Sequence, residues 1–418
     1  MVRLMSPPMS PAATPATPFD VAIVGGGLVG ATLALALGGA GFRVALIDRE
    51  RLAVQTADAY DGRGSAIALG SKRMLASLGL WQHLAADAGP ILDIRVSDGP
   101  SRLFLHYDHR AVSDEALGYI VENRHLRRAQ ATALAGCPAV ARYAGVAVAA
   151  IERSATAARL ALSDGTHLDA RLVVGADGRA SRVRDAAGIA ITAWRYPQTA
   201  IVCSVRHERP HHAVAHERFL PAGPFALLPL KDPHRASIVW TESNRRVDAM
   251  MALDDAALSR EMTRRFGDTL GALAIEGARW TWPLGLHHAE RYVDARLALV
   301  GDAAHGIHPI AGQGLNLGLR DVAALAEVLV DRRRLGLDIG DVLGLERYQR
   351  WRRPDNVALL IATDGLNRLF TVEAAPVRLA RDLGLAAVDR LPSLKKLFMR
   401  HAMGLLGDLP RLTRGERL

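Results

Sequence analysis

The chain has 418 residues, 50% hydrophobic and 23% charged, which excludes a disordered polymer and leaves room for one large domain or two to three intertwined ones. No uninterrupted apolar run is long enough to span a bilayer, which excludes a polytopic membrane protein. The net charge of +9 favours anionic partners, and the two cysteines, Cys137 and Cys203, stand too far apart for a disulfide framework or a CxxC site, as in a reducing cytoplasm.

Residues 1–18 carry Pro7, Pro8, Pro11, Pro15 and Pro18 among small residues and read as a disordered tail, with Met5 and Met9 as alternative starts. Phe19 to Asp48 reads as a βαβ unit: a short apolar strand, a glycine turn, an apolar helix and a second strand. Arg63 to Leu84 reads as strand or loop and then an amphipathic helix, Ile91 to Leu105 as strands, and Asn123 to Leu134 as a helix. Val146 to Val174 gives two or three strands around the turn Ser163-Asp164-Gly165, and Ala200 to Trp240 gives more, which suggests a mostly β insertion. Arg296 to Val300 returns to a buried strand of the parallel type, Gly314 to Val330 is a long apolar helix, and everything beyond Asp341 is helical.

Three motifs carry chemistry. Gly25-Gly26-Gly27-Leu28-Val29-Gly30 satisfies GxGxxG between a strand and a helix. Gly25 permits the tight turn, Gly27 lets backbone approach a pyrophosphate, Gly30 lets helix and strand pack, and the helix N-terminus favours the anion. Asp48 ends the next strand, where a carboxylate meets ribose hydroxyls, so a dinucleotide is expected, though FAD and NAD are not separated by this motif. The second motif, Val174-Gly175-Ala176-Asp177-Gly178 with Ser181 and Arg184, is by itself an Asp-Gly turn ending a strand. The third runs from Leu299-Val300-Gly301-Asp302 through His308-Pro309 to Gly312-Gln313-Gly314-Leu315-Asn316 and opens a helix whose N-terminal amides favour negative charge.

These segments resemble the single-component flavoprotein hydroxylases, the class A aromatic monooxygenases. Further stretches narrow the resemblance to the ubiquinone-biosynthesis hydroxylases, among them the 2-polyprenyl-6-methoxyphenol hydroxylases: Asp61-Gly62-Arg63, Gly118-Tyr119-Ile120-Val121-Glu122-Asn123, Glu217-Arg218-Phe219, Thr363-Asp364-Gly365-Leu366-Asn367 and Ala402-Met403-Gly404. It covers nearly everything after residue 18, and Asp48 stands where many relatives have Glu. The resemblance implies an α/β fold of the para-hydroxybenzoate-hydroxylase type. Its Rossmann-like FAD domain comprises 19–95, 120–190 and 285–345, its β-rich substrate domain 96–119 and 191–284, and its C-terminal helical region 346–418.

It further implies that FAD is held by Gly25, Gly27, Gly30 and Asp48, by Arg63 near the flavin, and by Asn123 and Arg127 at a cofactor-facing helix start. Asp177 and Gly178 would lie near the pyrophosphate and the path of the nicotinamide donor. Gly301 and Asp302 would meet the ribityl chain, and Gly312, Gly314, Leu315 and Asn316 the isoalloxazine. NAD(P)H is implied as a transient co-substrate, since no second GxGxxG unit is present. O₂ would be activated as a flavin C4a-hydroperoxide to hydroxylate the ring of a polyprenylated phenol. No catalytic base is assigned, although His305 and His308 invite the role, and His308 with Pro309 is expected to shape the active face of the flavin.

Alternatives carried beside this are a hydroxylase of a small soluble phenol and a non-catalytic flavin-bearing subunit of a biosynthetic assembly. Other ubiquinone-biosynthesis proteins are expected partners. Leu394, Leu397, Phe398, Leu405, Leu406 and Leu409 recur at helical spacing beside Lys395, Lys396 and Arg400, as in a terminal helix that packs on its own domain by default, docks a partner, or lies on an anionic bilayer. A polyprenylated substrate makes peripheral contact with the inner membrane face a further expectation for a cytoplasmic protein. A zinc site at His211, His212, His216 and Glu217 is set aside because the following residues read as strand and no HExxH order exists. Nucleic acid is set aside for want of a basic run interleaved with aromatics.

Overall fold

The computed structural model describes residues 18–55, 62–99, 101 and 103–418; the expected tail and Asp61 lie almost wholly outside them, with only Pro18 of the tail included. The chain opens with β1 (Phe19–Val24), α1 (Leu28–Gly39) and β2 (Val44–Asp48), and short α2 (Leu52–Gln55) follows. Then come β3 (Gly64–Ala68), α3 (Leu69–Ser77), β4 (Gly89–Ile91), β5 (Asp93–Asp98), β6 (Phe104–Asp108), β7 (Gly118–Glu122) and α4 (Asn123–Ala135). The next strands are β8 (Val140–Ala144), β9 (Val148–Arg153), β10 (Ala158–Leu162) and β11 (His167–Gly175), closed by α5 (Arg182–Ala186). A strand-rich stretch holds β12 (Ile191–His207), β13 (Val214–Leu220), β14 (Gly223–Pro229), β15 (Arg235–Ser243), α6 (Asn244–Met251), α7 (Asp255–Phe266) and β16 (Leu273–Ala289). The chain ends with β17 (Val293–Asp294), β18 (Leu297–Leu299), β19 (His305–Gly306), α8 (Gly314–Arg334), α9 (Val342–Thr371), α10 (Ala375–Arg390), α11 (Pro392–Ala402) and α12 (Arg411–Arg414).

The first sheet runs β17-β18-β11-β1-β2-β8, with the β9–β10 hairpin added to β11. Its centre is parallel, β1 lying between β11 and β2. Val21, Ala22 and Ile23 are fully buried because α1 and its neighbours cover the sheet, as the apolar run of β1 requires. The second sheet, β19-β16-β12-β15-β14-β13-β5-β6, is antiparallel except where β13 meets β5. Its register slips between Arg195 and Thr199, where Pro197 has no N–H to offer the ladder. The sheet already begins at Asp93 and continues through Ala289 to β19, so its strands pass the expected limits at 96 and 284. A third, separate sheet has the order β3-β7-β4.

One face of the second sheet packs Phe225, Ile238 and Trp240 against Leu258, Met262 and Phe266 of α7. Strand β13 places His216 on that face, its ring edge-on to Phe266 at 5.3 Å. Helix α8 is the central strut and buries almost its whole circumference, including the polar Asn316, Arg320 and Asp321. The helical run expected from Leu394 to Leu409 breaks at Ala402. Gly404 turns left-handed (φ 70°), and the Met403 carbonyl leaves the helix to accept from the Gly70 amide at 2.9 Å. Among the described residues no helix is long and apolar enough to cross a membrane.

Candidate functional site: a two-chambered groove

The three glycine motifs converge on two adjoining cavities of about 530 and 550 Å³ that share Leu28, Val29, Arg63, Asn123 and Asp302 as walls. Gly25, Gly26, Gly27, Asp48, Arg127, Gln130, Asp177, Gly178 and Arg182 line the first, the turn chamber. The second, the ring chamber, is mostly apolar and is lined by Gly312, Gly314 and Leu315, by Ala200, Val202, Leu228 and Leu284, and by Met399 and Met403.

The glycines of the first motif do different work. Gly25 sits at φ 106°, and a Cβ on it would stand 2.3 Å from the Ala176 carbonyl oxygen, where β1 and β11 end side by side. A Cβ on Gly30 would stand 1.9 Å from the Gly25 oxygen, so helix and turn pack without room for a methyl. A Cβ on Gly27 would meet no protein atom within 4 Å, so its open side faces the chamber. The N-terminal amides of α1 point there too, and the chamber therefore fits a dinucleotide pyrophosphate.

Asp48 is in place, and its carboxylate already accepts from the Gly26 amide and, at 2.7 Å, from Glu50 N–H. It stiffens the turn as well as walling the chamber. Asn123 starts α4, accepts from the Ser65 hydroxyl at 2.6 Å, and walls both chambers, while Arg127 one turn on reaches only the first. Gln130, not expected from sequence, bonds the Leu28 carbonyl at 2.8 Å and the Thr32 hydroxyl at 2.9 Å, tying α4 to α1. Arg63 lies over the ring of Trp282 with its guanidinium carbon 5.0 Å from the centroid, a cation–π contact at the mouth of the ring chamber.

Two residues expected at the cofactor also brace the groove through their side chains. Asp177 accepts from the Ser181 hydroxyl at 2.5 Å and from Val183 N–H at 3.1 Å, organising the start of α5. Burial raises its carboxyl above the usual range in spite of those bonds. Asn316 donates to the Ala66 carbonyl at 2.8 Å and accepts from Ala68 N–H at 2.9 Å, which stitches α8 to β3. Both residues border the groove, but their polar atoms are engaged in holding its walls.

At the third motif Gly301 turns at φ 58° and its N–H reaches Asp321 at 3.1 Å. The next residue, Asp302, has a half-exposed carboxylate that walls both chambers and faces Arg179 at 3.5 Å. Beneath it, Asp321 collects His305 Nε2 at 2.5 Å, Arg352 Nε at 3.0 Å and Asn356 Nδ2 at 3.2 Å, all buried. No local pattern signals this cluster, because its members come from α8, α9 and β19.

The expectation for His308 is corrected by burial. Pro309 lines the ring chamber, whereas His308 is fully buried outside that lining, edge-on to Tyr196 at 5.1 Å, with neither ring nitrogen hydrogen-bonded among the described residues. Burial lowers its pKa to about 4 from the ordinary 6.5. The unfolded chain thus binds a proton below about pH 6.5 that the folded chain refuses until about pH 4, so stability falls across that window as pH falls. His308→Leu is expected to flatten that limb of a Tm-against-pH curve and to leave Tm at neutral pH unchanged or higher. A large loss of Tm at neutral pH would contradict this account.

No motif in the sequence marks the polar residues of the ring chamber. Tyr107 on β6 and His216 and Glu217 on β13 line the chamber beside Ile94, Leu117, Ala215 and Leu228. Burial, with Asp389 and Glu217 adding, pushes the Tyr107 phenol up to about 12.

Comparison with known proteins agrees with this geometry. The family model described as "FAD binding domain" matches residues 18–355. Ubiquinone hydroxylase UbiL of Rhodospirillum rubrum is 54% identical over 402 residues, covering 96% of this chain and 93% of the relative. The 3-demethoxyubiquinol 3-hydroxylase of Escherichia coli is 38% identical over 390 residues, covering 93% and 99%. Among solved structures, p-nitrophenol 4-monooxygenase PnpA of Pseudomonas putida superposes with a TM-score of 0.77 over 91% of this chain and 96% of that one; at 20% identity it speaks for the fold alone.

Proposed function

We infer that this chain, which belongs to the family of FAD-dependent ubiquinone-biosynthesis hydroxylases, adds one hydroxyl group to the aromatic ring of a polyprenylated phenol. The observation that carries the reading is the apolar ring chamber adjoining a turn chamber built for a pyrophosphate. At about 550 Å³ the ring chamber exceeds the roughly 150 Å³ that holds a benzene molecule, leaving space for a flavin edge, a ring and the start of a tail.

When bound, FAD supplies the redox chemistry by which O₂ and NAD(P)H are used. The protein's share is placement. Gly25 to Gly30 and the α1 N-terminus would hold the pyrophosphate, Asp302 the ribityl hydroxyls, and Gly312 to Leu315 the flavin through the positive end of α8. Val202, Leu228 and Leu284 exclude water from the ring. Tyr107, protonated at neutral pH, offers a donor, and Glu217 an acceptor, to the oxygen substituents of the ring. In this reading the first sheet carries the cofactor, the second closes over the substrate, and 346–418 backs the chamber. A long prenyl tail keeps such a substrate in lipid, so contact with a membrane through the C-terminal helices and with other proteins of the pathway belongs to the same proposal.

The test is the quinone-type lipid profile, by mass spectrometry, of cells lacking this protein. An under-hydroxylated prenylphenol is expected to accumulate, to disappear with the wild-type gene, and to persist with Asp302→Ala. An unchanged profile in cells with no redundant hydroxylase would overturn the substrate.

A further inference from the structure

Helix α10 is arranged the wrong way round for a helix on a soluble surface. Its charged Arg381 points inward, bonding Asp98 at 2.8 Å and the Leu369 and Val372 carbonyls at 2.7 and 2.8 Å. Its outward stripe is Pro376, Leu379, Ala380, Leu383, Gly384 and Ala387, all exposed and all without charge, at the three- and four-residue spacing of one helical face. The concentration is not local chance. Ten of the twenty large hydrophobic side chains exposed among the described residues lie between Ile361 and Leu406, including Leu397 and Phe398 on α11.

The exposed charges around this face are mostly positive. Arg378, Arg390, Lys396 and Arg400 are exposed and make no ion pair among the described residues, against a single exposed carboxylate, Glu373, between 372 and 406. A second copy docked on this face about a two-fold axis would bring the same cations to both sides of the contact. An anionic bilayer would complement both features at once. The inner side of α11 adds a connection, because Met399, Ala402 and Met403 line the ring chamber while Leu397 and Phe398 of the same helix face outward.

We propose that α10 and α11 form a bilayer-contacting surface, with the apolar stripe meeting acyl chains and the four cations meeting anionic headgroups, and that the lipid tail of the substrate reaches the ring chamber past α11. The route of the tail rests on the prenylphenol reading above; the bilayer contact does not.

The test uses the full-length, FAD-loaded protein in co-sedimentation with phosphatidylcholine vesicles, with and without phosphatidylglycerol. Wild type is expected to bind the anionic vesicles, and Leu379→Glu/Leu383→Glu and Lys396→Glu/Arg400→Glu each to bind at least about tenfold more weakly with flavin retained. Binding equal to wild type in both variants would overturn the surface. So would a dimer in light scattering that Leu379→Glu/Leu383→Glu dissociates, since a second copy would then cover the face. Turnover separates the two halves. Both variants should hydroxylate a short-chain, water-soluble prenylphenol at the wild-type rate and lose activity on a long-chain substrate embedded in anionic vesicles. Equal activity on the embedded substrate would overturn the route past α11, whereas a wild-type protein that binds vesicles but hydroxylates neither substrate would remove the reaction reading and leave the surface standing.

Discussion

Gly27→Ala is expected to fold like wild type yet bind FAD about ten- to a hundredfold more weakly, while Gly25→Val is expected to lose both FAD and stability. The contrast follows from where each new carbon would go. Gly27 has φ −66° and ψ −176°, a conformation open to any residue, and its added Cβ meets no protein atom within 4 Å. The methyl would stand only in the space that a pyrophosphate must enter, so the loss falls on binding. Gly25, at φ 106°, puts a Cβ against the Ala176 oxygen at 2.3 Å and the Asp177 amide nitrogen at 2.8 Å, both backbone atoms that no rotamer change can move aside. The left-handed strain alone costs about 1–3 kcal/mol, and parting β1 from β11 adds to it. Flavin-to-protein ratios after purification, flavin fluorescence titration and Tm of the apoproteins measure both effects. FAD binding by Gly27→Ala at wild-type affinity would mean that the turn chamber does not hold the pyrophosphate.

The parts of the site legible in sequence are those that local geometry dictates. A glycine that must turn left-handed, one that must let a helix close on a strand, and an acid ending the next strand all sit at fixed offsets, so Gly25, Gly30 and Asp48 were readable before any fold was known. The same holds for the alternation of strands with helices that predicts a parallel sheet. What sequence could not show is which polar side chains the fold itself consumes. Asp177 and Asn316 match cofactor positions by spacing, but one organises α5 and the other bonds β3, partners 6 and roughly 250 residues away. His308 and Pro309 are adjacent in the chain yet only Pro309 lines the ring chamber, a difference that motif reading has no means to tell. The terminal helix illustrates the limit of periodicity: the apolar spacing persists from Leu394 to Leu409, but a tertiary bond from Gly70 to Met403 and the left-handed Gly404 end the helix at Ala402.

Asp321→Ala is the substitution expected to cost the most stability, and it lies behind the groove instead of in it. Burial alone would raise this carboxyl, but the His305 ring and then the Arg352 guanidinium and the Asn356 amide outweigh it and hold the pKa down at about 2. Since the folded value lies below the ordinary 3.8, the stability contributed by the carboxylate is complete above about pH 4 and is lost as pH falls through about 2. Alanine would take from Arg352 its fully buried partner and leave it only Asp355 at 2.7 Å and the Asn356 side chain, so the loss stays below the ~3–5 kcal/mol of a buried charge left with no partner. It would also release the Gly301 amide, whose bond at 3.1 Å fixes the turn that carries Asp302. Two readouts should therefore move together: a lower Tm at neutral pH, and weaker FAD binding in the fraction that remains folded at low temperature. Asn in place of Ala retains an oxygen for the Gly301 amide while giving up the charge. Asp321→Asn is accordingly expected to recover part of the FAD affinity but little of the lost Tm, and to lack the acid limb below pH 4. Loss of Tm with FAD affinity untouched in both variants would show that Asp321 only braces α8 against α9. Recovery of affinity by the amide alone would show that this buried carboxylate positions the cofactor through the turn above it.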